Sequence, residues 1–380
     1  MHERPVVVLS GGGTGGHLYP ALAIADALRE RRPDVRAVFI GARRGLEARV
    51  LPARHEEHVL LPVEGFDRAR PLSAFRVLAG LVTGVVRTAR LFARLRPEVV
   101  VVTGGYAGAA AGIVAGLSGV PLVLQEQNAE PGVVTRLLTR WATRVHVAFP
   151  EAIERLPLAE GRARVTGNPV RPGSGRPRDV VRAELDVPAA ATLLVVTGGS
   201  QGSLALNRVV GEALRGVAAG ALARPQGLHV LWVSGPSHLT SVEAIVRECG
   251  APEWVRTVGY VDDMPGVLAA ADLAVSRAGA MFTAELLERG VPAVLVPLPT
   301  AAAGHQMHNA RALESAGAAV VAPQDDLTGE RLWTEVGRLL GEPDRLARMG
   351  AAARALARPH AARDIADDVG TLMASHGRSA

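Results

Sequence analysis

Short, uniformly apolar runs of Val, Leu and Ile alternate along this chain with longer Ala-, Arg- and Leu-rich stretches of helical period, and this rhythm constrains the fold more than any other feature. In the first half the strand candidates are Val6–Leu9, Val35–Ile40, Val59–Val63, Val99–Val102, Leu122–Leu124 and Val145–Ala148. They are apolar throughout instead of alternating, as strands are when both faces of a parallel sheet are covered. With helical patterns between them, the half reads as successive βαβ units. The second half restarts the rhythm with Thr192–Thr197, His229–Val233, Val255–Val258, Leu273–Val275, Ala293–Val296 and Ala319–Val321. Between the halves, the Pro/Gly-rich stretch from Asn168 to Pro177 reads as linker and hinge. A length of 380 residues suits two domains. The expected class is α/β, with two Rossmann-like doubly wound parallel-sheet domains at 1–165 and 166–345. A helical segment, 346–380, is expected to pack back on the first domain.

Composition excludes several functions. No uninterrupted apolar run reaches about 18 residues, so no membrane-spanning helix is expected. The opening Met1 to Pro5 lacks the features of a signal peptide. Cys249 is the only cysteine, which rules out an internal disulfide and a Cys-based zinc site. Together these point to the cytoplasm. There is no Lys, so all 42 strongly basic side chains are Arg. Coding bias accounts for that, although Arg also suits phosphate partners through its bidentate fork. Nucleic acid is not expected as a partner, because aromatics are only 3% and no basic tail or nucleic-acid motif occurs.

Strands lead into glycine-rich loops. Val6 to Leu9 is followed by Ser10-Gly11-Gly12-Gly13-Thr14-Gly15-Gly16-His17 and a helix with Leu18, Leu22, Ala25 and Leu28 on one face. Leu193 to Thr197 leads into Gly198-Gly199-Ser200-Gln201-Gly202-Ser203 and a helix bearing Leu206, Val210, Ala213 and Val217. A further loop, Thr103-Gly104-Gly105-Tyr106, also leaves a strand. Glycine lets the backbone approach a ligand, and free N–H groups at a helix start favour an anion. A single such loop can serve packing alone; their recurrence at strand ends in both halves points to ligands. Gly11, Gly13 and Gly16 also fit the dinucleotide spacing, but the next strand ends in Arg43-Arg44 where an NAD site wants an acid. An NADP-dependent oxidoreductase therefore stays as an alternative.

In the second half a strand ends in Ser276-Arg277-Ala278-Gly279-Ala280 and a helix begins, again suited to a diphosphate. Glu285, about one turn inside, is placed to accept ribose hydroxyls. The cluster Gly304-His305-Gln306-Met307-His308-Asn309 follows a small-residue loop and suits sugar hydroxyls.

These segments, in order, resemble the MurG family of N-acetylglucosaminyltransferases: Gly12 to His17 with Pro20 to Ala23, Gly104-Gly105-Tyr106, Glu126-Gln127-Asn128, Gly167 to Arg171, Gly198 to Gly202, Asp262-Asp263-Met264, Arg277 to Ala280 and His305 to Ala310. The resemblance runs over nearly the whole chain. It implies a GT-B fold, with the two domains facing across a cleft. It also implies inverting transfer of N-acetylglucosamine from UDP-GlcNAc to the C4 hydroxyl of the muramoyl sugar of lipid I (undecaprenyl-pyrophosphoryl-MurNAc-pentapeptide), giving lipid II in peptidoglycan synthesis. By the same resemblance Thr14, Gly15 and Gly16 lie by the donor sugar and the acceptor, and Asn128 and Arg171 reach the donor. Ser200, Gln201 and Gly202 serve the diphosphate region, and Val261 lies on uracil. Ala280, Met281, Phe282, Thr283, Ala284 and Glu285 hold the nucleotide, and His305 and Gln306 the sugar. Gly13, Gly104, Gly105, Tyr106 and Asn309 serve the acceptor. The sequence departs from the family at Gln125, where His is usual, and at Met281-Phe282. A UDP-sugar epimerase of the same fold is a further alternative.

Inversion needs a base for the acceptor hydroxyl and a counter to the leaving UDP. His17 is the first candidate base, because an imidazole titrates near working pH; Glu126 competes. No cofactor and no essential metal are expected. Asp262 and Asp263 are adjacent and read as helix N-cap acids before Met264-Pro265. From Arg68 to Arg96, Leu72, Phe75, Leu78 and Val82 can share a helical face beside Arg70 and Arg76. That basic amphipathic segment suits an anionic membrane surface, so a peripheral position on the cytoplasmic face is expected.

Overall fold

A computed structural model describes residues 4–63, 73–170 and 175–376, of which 73–76 and 376 are described by their backbone. The chain divides into two compact units: one runs up to residue 171 and resumes at Arg358, and the other takes the residues between.

In the first unit, β1 (Val6–Gly11), β2 (Arg36–Ala42), β3 (His58–Leu61), β4 (Val99–Gly104), β5 (Leu122–Glu126), β6 (Arg144–Val147) and β7 (Ala163–Val165) form one sheet in the order β3-β2-β1-β4-β5-β6-β7. Every pairing is parallel. Period-2 geometry sends alternate β1 residues to opposite faces. Val6 and Val8 join Val100, Val102 and Leu138 on one side. Val7 and Leu9 join Val99, Val101, Leu18, Ile24 and Leu28 on the other. Both faces are covered, which is why the strands read as unbroken apolar runs. The sequence reading missed β7, a three-residue strand with an exposed Arg164 at its centre.

The second unit repeats the plan. β8 (Thr192–Thr197), β9 (Leu228–Val233), β10 (Val255–Val258), β11 (Leu273–Ser276), β12 (Ala293–Leu295) and β13 (Ala319–Val321) lie parallel in the order β10-β9-β8-β11-β12-β13. In each sheet the winding reverses between the first strand and its β4 or β11 neighbour. Ligands of open α/β sheets bind beyond the carboxyl ends of strands at such a reversal.

The unit borders differ from the expected 165/166 and 345/346. Residues 166–170 stay with the first unit. The helix Pro343–Leu356 belongs to the second, where Met349 enters the core. Only the last helix, Ala361–His376, packs on the first unit: Ile365, Ala366, Val369 and Met373 lie against the Gly15–Arg31 helix. Asp368 on that helix accepts from Arg164 at 3.0 Å and lies 3.3 Å from His146 Nε2. A helical pattern cannot reveal that its two halves serve different cores.

Candidate functional site

At the first reversal, the loops after β1 and β4 meet backbone to backbone. Gly105 has φ +78°, and a Cβ there would overlap the Gly12 carbonyl. Gly104 has φ +117°, and a Cβ would lie 2.6 Å from His17 Cδ2 and 2.8 Å from Nε2. The imidazole thus lies over a position that only glycine can occupy. Thr103 Oγ1 donates to the His17 carbonyl at 2.7 Å, and His17 Nδ1 is 3.4 Å from Thr14 Oγ1. Gly13 and Thr14 are exposed, and Gly15, Gly16, His17 and Tyr106 are half-buried. The structure therefore brings together Gly13, Thr14, Gly15, Gly16, His17, Gly104, Gly105 and Tyr106.

Sequence reasoning missed Glu47. It is wholly buried, and its Oε1 accepts the N–H of Gly13 at 2.8 Å and of Ala42 at 3.0 Å. The expectation that this loop offers its N–H groups to an outside anion is corrected at Gly13, whose partner is the chain's own carboxylate. An acidic residue 34 positions from the loop, just beyond a strand end, was the available signal.

Glu126 ends β5 and is only 2% exposed. Its Oε1 accepts from Asn128 N at 3.0 Å and Asn128 Nδ2 at 3.2 Å; its Oε2 accepts from Gly132 N at 2.9 Å and Thr135 Oγ1 at 2.6 Å. With its acceptor sites so occupied, this carboxylate organises the turn into the Val133–Leu138 helix and is badly placed to take a proton from a ligand. Its candidacy as the base is corrected on that ground. Behind it, Gln125, Gln127 and Asn168 form a buried amide network: Gln125 Nε2 donates to Asn168 Oδ1 at 3.1 Å, and Asn168 Nδ2 to Gln127 O at 3.0 Å.

In the second unit, the loops after β8 and β9 also meet closely. Gly202 has φ +75°, where a Cβ would overlap the Ser234 carbonyl. Ser203 caps the Leu204–Ala218 helix by accepting from Leu206 N. Ser200 and Gln201 stand exposed on this loop. Arg277, at the end of β11, is buried and donates to Ser203 Oγ at 2.7 Å, to the carbonyls of Val296 and Pro297 at 3.1 and 3.3 Å, and to Gln324 Oε1 at 2.6 Å. Burial pushes its guanidinium below the usual arginine range. Next to it the Ala280–Arg289 helix starts with no side-chain cap, the arrangement in which a helix N-terminus takes an anion. Met281, Phe282, Ala284 and Glu285 are half-buried on this first turn and just beyond. Gln306 Oε1 accepts from Leu298 N at 2.9 Å, and His305 Nδ1 lies 2.7 Å from Ala302 O. Val261 is half-buried, and Asp263 caps the Met264–Ala270 helix through Gly266 N at 3.0 Å.

Some expected ligand contacts are corrected. Thr283 is fully buried and donates back to Ala280 O at 2.9 Å, so its side chain faces the core. Asn309 is fully buried in the second unit and donates to Ala278 O at 3.2 Å; it props the turn after β11 instead of meeting an acceptor. Arg171, Leu72 and Arg70, and the side chains of Phe75 and Arg76, lie outside the described residues.

Residues 7–147 match the glycosyltransferase family 28 N-terminal domain, and residues 193–369 the family's C-terminal domain. The chain is 42% identical over 368 residues to the UDP-N-acetylglucosamine--N-acetylmuramyl-(pentapeptide) pyrophosphoryl-undecaprenol N-acetylglucosamine transferase of Salinibacter ruber, covering 97% of this chain and 96% of that one. It is 41% identical over 360 residues to the transferase of the same name from Moorella thermoacetica, covering 93% and 95%. The crystal structure of Acinetobacter baumannii MurG superposes with a TM-score of 0.76 at 27% identity, covering 97% of this chain and 99% of that chain. Two Rossmann-ordered parallel sheets, glycine loops at both reversals and likeness along nearly the whole length agree: the chain belongs to the MurG family of glycosyltransferases, with the GT-B fold class.

Proposed function

We propose that this chain transfers N-acetylglucosamine from UDP-GlcNAc to the C4 hydroxyl of the muramoyl sugar of lipid I, forming lipid II with inversion at the donor carbon. The observation that carries this reading is the near-full-length likeness to transferases named for that donor and acceptor. His17 is the base: it lies over Gly104 in the loop cluster of the first unit. Attack by the acceptor oxygen on the donor's anomeric carbon breaks the bond to UDP while the imidazole takes the hydroxyl proton. The second unit receives UDP at the Ser200–Gly202 loop and the uncapped start of the Ala280–Arg289 helix, with Glu285 on the ribose, Val261 at uracil and Gln306 on the sugar. Helix N-termini supply the charge that receives the diphosphate. No metal is needed in this scheme; Asp263 is already engaged as a helix cap.

Among the described residues no helix is long and apolar enough to cross a membrane. The Ser73–Leu95 helix nevertheless carries Leu78, Val82 and Val86 at 59%, 56% and 43% exposure, four residues apart and so on one face. An exposed apolar stripe continuing into Arg90 and Arg94 suits an anionic lipid surface, which supports peripheral attachment on the cytoplasmic face where lipid I is reached.

The test is turnover of radiolabelled UDP-GlcNAc with a lipid I analogue, a no-acceptor control and excess chelator. Acceptor-dependent label in a lipid-soluble product, undiminished by chelator, is expected. Donor consumption without acceptor would replace the proposal with an epimerase or hydrolase, and chelator-sensitive transfer restored by Mg²⁺ would remove the metal-free scheme.

A further inference from the structure

Glu47 is a wholly buried acid that the scheme above does not use. It opens the Glu47–Ala53 helix, and its carboxylate reaches under the loop between β1 and the Gly15–Arg31 helix. Oε1 takes the N–H groups of Gly13 and Ala42, while Oε2 is buried without a hydrogen-bond partner among the described residues. Glycines from separate segments make room for it. A Cβ on Gly12 would overlap Oε1, one on Gly45 would overlap Oε2, and one on Gly41 would lie 2.8 Å from Glu47 Cβ. Neighbouring backbone is thus shaped around this acid at the point where β2 and the first loop end. Gly13 itself, at φ +91°, has open space where its side chain would be, so no side-chain packing at Gly13 holds it. The Glu47 hydrogen bond is the described contact that sets its position.

We infer that Glu47 is a positioning residue for the transfer reaction: by holding Gly13 N–H from beneath, it sets the Gly12–His17 loop and, through it, the imidazole over Gly104. The inference rests on the transferase reading. It also means that the Gly13 N–H serves the protein's own carboxylate and not a ligand phosphate. What the site requires of Glu47 is an acceptor at the Oε1 position. Glutamine supplies that acceptor with the same reach; alanine removes it, and aspartate falls one methylene short.

The test compares the parent chain with Glu47→Gln, Glu47→Asp and Glu47→Ala by three readouts: amide exchange of the peptide spanning residues 11–17, calorimetric binding of UDP, and kcat per UDP-binding site with a lipid I analogue. Glu47→Ala is expected to speed exchange at Gly13 by about tenfold or more, as a local opening does. Its kcat is expected to fall by about 30-fold or more, on the scale of a misplaced reacting group, with UDP affinity within about twofold of the parent. Glu47→Gln should restore both exchange and kcat, and Glu47→Asp should not. If Glu47→Ala fails to fold, the contrast between Gln and Asp decides the matter. Slow exchange and parental kcat in Glu47→Ala, or a Gln variant as impaired as Asp, would overturn the inference. A parent chain that binds UDP yet transfers nothing to the acceptor would instead overturn the transferase reading and the catalytic half of this inference with it, while the exchange data would still report on the tie between Glu47 and Gly13.

Discussion

Arg277 Nη2 lies 2.7 Å from Ser203 Oγ, and through that contact a buried guanidinium at the end of β11 meets the residue that caps the helix after β8. Both strands flank the reversal of the second sheet. Ser203→Ala removes the cap and an acceptor of the buried cation together. We expect a loss of about 2–3 kcal/mol in stability, combining a lost N-cap with an undersatisfied charged donor. UDP affinity should fall as well, because the Ser200–Gly202 loop loses its anchor. Thermal unfolding and calorimetry check both; parental UDP affinity in a folded Ser203→Ala protein would separate the cap from the binding site.

His17 and Glu126 answer differently to alanine. His17→Ala should lower kcat by about 10²–10⁴-fold, the usual contribution of a general base, without weakening UDP binding. Glu126→Ala strands donors on Asn128, Gly132 and Thr135 in a buried turn, and should cost about 2–3 kcal/mol of stability. Parallel kcat and melting measurements discriminate the two; a stable Glu126→Ala protein with collapsed kcat would return Glu126 to the chemistry.

Serine at Leu78, Val82 and Val86 together should weaken binding to anionic vesicles by about tenfold or more, since apolar area no longer enters the interface. The melting temperature should hold, because these side chains are exposed in the fold. Co-sedimentation that does not change would refute the lipid-facing stripe.

Acid should loosen the last helix. The neighbouring His146, with Nε2 3.3 Å from Asp368 Oδ2, holds the Asp368 carboxyl below its ordinary value of 3.8, with the charges of Arg164 and Arg144 adding to the effect and burial opposing it. The folded value is the lower one, so this stabilisation is present above the unfolded aspartate range and is lost as pH falls through the folded value. Asp368→Asn should cost about 1–2 kcal/mol at neutral pH, discounted for solvent around Arg164. The variant should also flatten the fall in melting temperature below pH 4 or so. Melting curves of both proteins from pH 3 to 7 or so give the comparison; parallel curves would mean that Asp368 contributes nothing.

Much of the second unit's architecture was legible because its information is local. Leu193 to Ser203 carries a buried strand, a turn that needs glycine at Gly199 and Gly202, and a serine cap, all within a few turns of chain. The Asp263 cap before Met264-Pro265 was readable for the same reason. Ala163–Val165 was not, because an exposed three-residue strand leaves almost no apolar pattern.

The sequence by itself determined the two βαβ halves, the glycine loops at strand ends and the family, since period, turn chemistry and motif order are properties of neighbouring residues. Only the tertiary structure decided which groups within those motifs stay exposed and which hold the scaffold. It placed Glu47 beneath Gly13 across 34 positions and tied Thr103 to the His17 carbonyl across 86. It turned Glu126, Thr283 and Asn309 inward, and it divided the C-terminal helices between two cores. Those outcomes depend on burial and on the pairing of distant donors and acceptors, which the packing of sheets and helices settles and no local pattern encodes.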